Sequence, residues 1–255
     1  MNLSAMTTPA IALHDLTVAY RGHPAVHHLS GAFEAGSMTA IVGPNGAGKS
    51  SLLAAIMGRL PAAQGRVEID AALRGRMAWL PQHSEIDRGF PLSVFDLVAL
   101  GLWSRVGAWR GLRAPEREAV HHALHAVGLH GFDRRLIGEL SAGQFQRALF
   151  ARLLLQDAPV ILLDEPFNAI DARTTADLLA LVHRWHGQAR TIVAVLHDME
   201  QVREHFSHTL LLARRCVAWG PTAQVLDARH LLEARQMAEA WDEAAPECAA
   251  GQEAA

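Results

Sequence analysis

Lysine is almost missing from this sequence. Of its 23 Lys and Arg residues one is lysine, Lys49, and the rest are arginine. Cysteine is nearly as scarce: Cys216 and Cys248 stand far apart and form no Cys-x-x-Cys pair, which excludes a disulfide framework and a cysteine zinc site. No apolar run approaches the roughly 18 residues of a membrane span, and the first residues lack the charged and apolar regions of a signal peptide. The chain is therefore read as cytosolic, with any membrane role exerted through a partner. A net charge of −3 supplies no broad basic field, so nucleic acid is excluded as a partner. The arginines at 105, 110, 113 and 117, with Glu116 and Glu118 beside them, read as a solvated loop.

The lone lysine sits in the most informative stretch. Met38 to Val42 form a short apolar strand, followed by Gly43-Pro-Asn-Gly-Ala-Gly-Lys49-Ser50 and Ser51. This is a strand, a glycine-rich loop and the start of a helix. Gly43, Gly46 and Gly48 let the backbone curl with its N–H groups inward, Lys49 reaches the outer phosphates, and the Ser50 hydroxyl can hold a magnesium ion. A chain that uses arginine everywhere else keeps a compact ammonium where a planar guanidinium would not fit. The stretch reads as a nucleoside triphosphate cradle.

At 255 residues, half of them hydrophobic, the chain is long enough for one domain with a subdomain. Ile11 to Tyr20 and Ala25 to Phe33 alternate as two strands around the turn Arg21-Gly-His-Pro24, and Val67–Ile69 and Met77–Leu80 are short strand candidates. The loop's own helix is expected to run to about Gly58. From Ser93 the period becomes helical. One helix carries Phe95, Leu97, Val98 and Leu102; a second starts at Pro115 and buries Val120, Ala123, Leu124 and Val127; a third follows Ser141 and ends near Asp157. Val160 to Leu163 and Thr191 to Leu196 are continuous apolar runs, as in parallel strands covered on both faces. With helices at 172–186 and 198–205 they describe an α/β sheet, whose ligands gather at the carboxyl ends of its strands. The chemistry is therefore placed at 43, 164 and 197. Short helical segments follow Trp219-Gly-Pro221 to about Trp241.

Asp164 and Glu165 stand at the tip of one such strand. The first carboxylate can hold magnesium, and the second can polarise the water that attacks a γ-phosphate. Upstream lies Leu140-Ser-Ala-Gly-Gln144, which resembles the signature motif of ATP-binding cassette (ABC) ATPases, and the order of the other motifs agrees over about 10–230. The resemblance implies an α/β fold with a P-loop NTPase core, an N-terminal antiparallel β subdomain and an inserted α-helical subdomain at about 90–157. The ATPase domain is expected over 9–240, between a flexible tail at 1–8 and a disordered one at 241–255.

By that resemblance Gly43, Pro44, Asn45, Gly46, Ala47, Gly48, Lys49, Ser50 and Ser51 cradle ATP, and Tyr20, the only tyrosine, stacks on adenine. Gln82 touches magnesium together with Ser50 and Asp164, and also links the site to the membrane partner. Glu165 is the catalytic base, and His197, one of 15 histidines, is the switch that contacts the γ-phosphate. Ser141, Gly143 and Gln144 open a helix facing ATP held by a second copy, and Asp171 closes the set. ATP and Mg²⁺ are the implied cofactors, and a head-to-tail homodimer is the implied assembly. Two departures stand out: Ala142 where glycine is usual, and Asn168 with Ile170 in place of the commoner Ser and Leu. Alanine keeps its N–H, and Asn168 can hydrogen-bond across a dimer.

A separate, single cassette of this size resembles a prokaryotic importer subunit, peripheral on the inner face of the membrane. Its implied partners are an integral membrane permease and, indirectly, an extracytoplasmic solute-binding protein. The stretch from Ser84 to Gly101, with Gln144-Phe-Gln-Arg147 and Asp164-Glu-Pro-Phe167, is similar to the ATPase subunits of zinc and manganese importers. Zinc is the first expectation and manganese the second. An importer of siderophore iron and a soluble regulatory ATPase without a permease are the alternatives. Glu118, His121, His122 and His125 form two i, i+4 pairs that can hold a metal between them, but a solvated polar face accounts for them as well.

Overall fold

The structure is a computed structural model and describes residues 9–20, 23–82, 87–107 and 110–239. The two expected tails and the turn residues Arg21 and Gly22 lie outside the described residues. Its strands are β1 (Pro9–Tyr20), β2 (His23–Glu34), β3 (Met38–Val42), β4 (Ala62–Ile69), β5 (Met77–Leu80), β6 (Val160–Asp164), β7 (Thr191–Val195), β8 (His208–Ala213) and β9 (Arg215–Pro221). Its helices are α1 (Lys49–Ile56), α2 (Val94–Ala99), α3 (Trp103–Val106), α4 (Ala114–Ala126), α5 (Ala142–Gln156), α6 (Ala172–Gly187), α7 (Met199–His205), α8 (Thr222–Val225) and α9 (Ala228–Glu239). The chain divides into two compact units, one of residues up to 74 with those from 193, the other of residues 75–192.

The first unit holds an antiparallel sheet in the order β2-β1-β4. Ile11 and Leu13 are buried, and so are Leu16 and Val18 beyond an irregularity at Asp15, φ 50°, that shifts the alternation by one residue. In the same unit β3 pairs in parallel with β8, and β8 pairs antiparallel with β9. All five residues of β3 are buried, which is why the sequence there shows an unbroken apolar run rather than alternation.

The second unit is built on β5 and β6, parallel and in register from Met77 opposite Val160 to Leu80 opposite Leu163. Around them lie α2 to α6. Ser93 caps α2 by accepting a hydrogen bond from Asp96 N, and Pro115 and Glu116 occupy the first turn of α4, as their types predict. Val120, Ala123 and Leu124 form the buried stripe of α4. Asp157 ends α5 in the left-handed region at φ 49°. Phe150 of α5 stacks on Trp185 of α6 at 5.7 Å with the rings 8° from parallel, so the two helices share an aromatic core.

Four elements differ from the sequence reading. β4 starts at Ala62, well before the expected Val67, because its first residues, Ala62 to Arg66, are mostly exposed and show no apolar period. Strand β8 carries a buried apolar run, Leu210 to Ala213, that the sequence reading does not assign to a strand, and β9 is mostly half-exposed and lacks a clear pattern. Helix α1 ends at Ile56, ahead of Gly58.

Candidate nucleotide site

In the first unit, β3 delivers its chain directly into the glycine-rich loop. Gly43 has φ 149° and Gly48 φ 90°. A Cβ on Gly43 would lie 1.9 Å from the Leu212 carbonyl oxygen, and one on Gly48 would lie 2.1 Å from that of Ala25. No side chain is accommodated at either position, so the glycines are required by close backbone approach as well as by dihedral angle. Gly48 caps α1 in the left-handed conformation, leaving the first N–H groups of the helix for an anion. Lys49 is 6% exposed, and its Nζ donates to the carbonyls of Gly43 and Pro44, each at 2.9 Å. Ser50 and Ser51 are half-buried on the first turn, while Asn45 and Gly46 form the exposed rim. The loop fits a polyphosphate: a backbone curved at its glycines around one buried ammonium.

His197 belongs to the same unit. Leu196 N donates to Ile41 O at 3.1 Å, so His197 leaves its strand beside the one that feeds the loop, and its side chain is exposed. Asp198 accepts from Glu200 N and Gln201 N to cap α7, which pins the residue that follows the histidine. The side chain of Tyr20 lies outside the described residues.

The second unit carries the carboxylates. Asp164 ends β6 and is 1% exposed. Glu165 follows at φ 50°, a left-handed conformation that is uncommon outside glycine and turns its side chain away from the line of the strand. Its Oε2 accepts from Gln82 Nε2 at 2.9 Å and from Asn168 Nδ2 at 3.1 Å. Two sequence expectations, Gln82 and Glu165, thus meet at one oxygen. Asn168 joins them, and its amide is engaged within the chain.

The signature segment opens α5. Ser141 Oγ accepts from Gln144 N at 3.2 Å and Ser141 N donates to Gln144 Oε1 at 3.0 Å, a reciprocal capping box. The Ser-x-x-Gln spacing therefore has a structural role in this chain whatever else it binds. A Cβ on Gly143 would lie 3.3 Å from Thr174 Oγ1 and 3.4 Å from Asp171 Oδ2, so α5 and α6 begin side by side. Asp171 caps α6, accepting from Thr174 N at 2.9 Å and from Thr174 Oγ1 at 2.8 Å. The Thr174 N–H, then its hydroxyl, holds the Asp171 carboxyl below its ordinary value, and the cap stays ionised at neutral pH.

The structural role of Gln146, within the stretch Gln144 to Arg147, is not visible in the sequence. Gln146 is 6% exposed, and its Nε2 donates to Pro166 O at 2.7 Å, tying α5 to the turn after Glu165. Nothing in the sequence separates it from other glutamines of a helix. Gln146→Ala is expected to lower unfolding stability by about 1–3 kcal/mol, since it strands a buried carbonyl. The midpoint of urea unfolding measures this.

On helix α4 the Glu118 and His122 side chains are 3.6 Å apart and His121 packs against the Phe95 ring. Among the described residues no group of three or more His, Cys, Asp or Glu could hold a metal. Nor, among them, is any helix long and apolar enough to cross a membrane.

A buried strand running into a glycine-bent loop with its lysine and helix, in a chain that also ends a strand on an Asp-Glu pair, marks a P-loop nucleoside triphosphatase. A model of the ABC transporter family matches residues 26–168, and the chain belongs to that family as an ATP-binding, ATP-hydrolysing subunit. It is 41% identical over 216 residues to the manganese transport system ATP-binding protein MntB of Listeria monocytogenes, covering 83% of this chain and 90% of that one. It is 40% identical over 234 residues to the zinc transport system ATP-binding protein TroB of Treponema pallidum, covering 89% and 87%. Among solved structures it resembles an inward-facing ABC transporter described as of the metal-chelate type, with TM-score 0.80, 27% identity and 90% of each chain covered.

Proposed function

We propose that this chain is the ATP-hydrolysing subunit of an importer for a divalent transition metal of the zinc and manganese class. The observation that carries this reading is its identity of about 40%, over more than four-fifths of its length, to subunits named for manganese and zinc transport. Family membership implies a membrane permease as partner. A cavity of about 530 Å³ in the second unit, lined in part by Met77, Leu100, Trp103 and Arg105, supports docking there by a short permease helix. Leu100 and Trp103 are large apolar side chains exposed to solvent, an arrangement that favours a protein partner.

In the proposed cycle two copies close head to tail on two ATP molecules. The loop from Gly43 to Ser51 holds the phosphates of its own nucleotide. The Ser141 end of α5 presents its N–H groups to the nucleotide of the other copy. Ser50, Gln82 and Asp164 are assigned to Mg²⁺, which when bound neutralises phosphate charge. Glu165, oriented by Gln82 and Asn168, takes the proton of the attacking water as the bond to the leaving ADP oxygen breaks. His197 contacts the γ-phosphate. Closure and reopening then move the permease.

A second reading, import of a chelated metal such as siderophore iron, is favoured by the likeness to the metal-chelate type transporter. Growth of a deletion strain in chelator-treated medium separates the readings. The expected result is a growth defect relieved by excess zinc or manganese and not by iron. Relief by iron alone would favour the chelate importer, and normal growth with each metal limiting would remove the metal reading.

A further inference from the structure

Residues 92–95 are laid antiparallel along residues 133–137, which lead into the signature. Ile137 N donates to Leu92 O at 2.9 Å, Val94 N to Arg135 O at 2.9 Å and Phe95 N to Asp133 O at 3.0 Å, with Ser93 and Leu136 forming an antiparallel bridge. At the far end of this clip stands Arg88. Its Nη2 donates to the Leu140 carbonyl and lies 3.5 Å from that of Ile137. Its guanidinium carbon lies 4.9 Å from the centre of the Phe145 ring, a fully buried side chain of α5. Arg88 therefore grips the helix opening twice, at the carbonyl immediately before Ser141 and at the first buried ring of the helix.

We propose that Arg88 is a positioning residue of the ATPase reaction: through Leu140 O and Phe145 it fixes how the Ser141 end of α5 is presented to nucleotide. A planar, always-charged group suits this task, because one face covers the ring while the edge donates to a carbonyl. Stability alone does not account for the arrangement. Among the described residues the buried Arg88 Nε has no hydrogen-bond partner, and a half-satisfied guanidinium is a costly way to join two loops. Backbone hydrogen bonds already hold the two segments together. The same clip carries Phe90 and Leu136, both large apolar side chains exposed to solvent. Any displacement of residues 88–95 is thereby passed to Leu140 and from there to Ser141. The inference rests on the reading above, in which that helix end engages ATP.

The test uses the purified full chain with Arg88→Met, Arg88→Lys and Ser141→Ala, the last reporting on the signature itself. Arg88→Met keeps the apolar stem over Phe145 and removes the donors. It is expected to lower kcat on the order of ten-fold, as losing one charged hydrogen bond would, with KM for ATP and binding of a fluorescent ATP analogue within about two-fold. Arg88→Lys restores a donor and is expected to recover part of kcat. The Arg88→Met, Ser141→Ala double variant should be no slower than Ser141→Ala alone, since both act on one element. A wild-type kcat in Arg88→Met, with Ser141→Ala impaired, would overturn the inference and leave the functional reading standing. An unimpaired Ser141→Ala would remove that reading, and the inference with it. If Arg88→Met fails to fold, Arg88→Lys decides: a kcat deficit at the wild-type melting temperature supports positioning, and a wild-type kcat rejects it.

Discussion

Glu165→Gln is expected to lower ATP turnover by about two to four powers of ten, the range for loss of a general base, while nucleotide still binds. The substitution is close to isosteric. The new side chain keeps a carbonyl oxygen that can accept from Gln82 and Asn168, which now bond the Glu165 carboxylate at 2.9 and 3.1 Å. Geometry is therefore retained, and the capacity to take a proton from water is removed. Steady-state hydrolysis by the purified chain, beside titration with a fluorescent ATP analogue, separates the two effects. A loss smaller than about ten-fold would remove Glu165 from the role of base.

Lys49→Ala is expected to weaken ATP binding by about two to three powers of ten, the equivalent of one to two charge-assisted hydrogen bonds to phosphate. The ammonium is buried and spans the loop through the Gly43 and Pro44 carbonyls, so its removal takes away both the cation and the cross-brace. Lys49→Arg should do little better, because a planar fork does not reproduce the compact ammonium that bonds the Gly43 and Pro44 carbonyls. Equilibrium titration with labelled ATP measures both variants. An arginine variant with wild-type affinity would mean that the single lysine is not held there by size.

The loop, the Asp-Glu pair and the signature were legible because each pairs a fixed residue spacing with a fixed change of period. Gly43 to Ser51 stands between an apolar run and a helix, Asp164 ends an apolar run, and Ser141 precedes a helical stripe. Capping chemistry is local, which is why Ser93, Pro115 and Ser141 marked helix starts to within a residue. The contacts of Gln82, Gln146 and Arg88 were not legible. Each is made across a long stretch of chain or depends on one backbone carbonyl, and residue type carries no record of which carbonyl will be near. Strand β9 was missed for a related reason: with most of its residues half-exposed, it offers neither clean alternation nor a continuous apolar run.

The most direct measurement is metal accumulation in the native cell after deletion of this chain, followed by elemental mass spectrometry under metal limitation. Wild type and Glu165→Gln are returned separately at equal expression. The account predicts a selective fall in cellular zinc or manganese that wild type restores and Glu165→Gln does not. Restoration by Glu165→Gln, or unchanged zinc and manganese in cells shown to have no second importer for either, would contradict it.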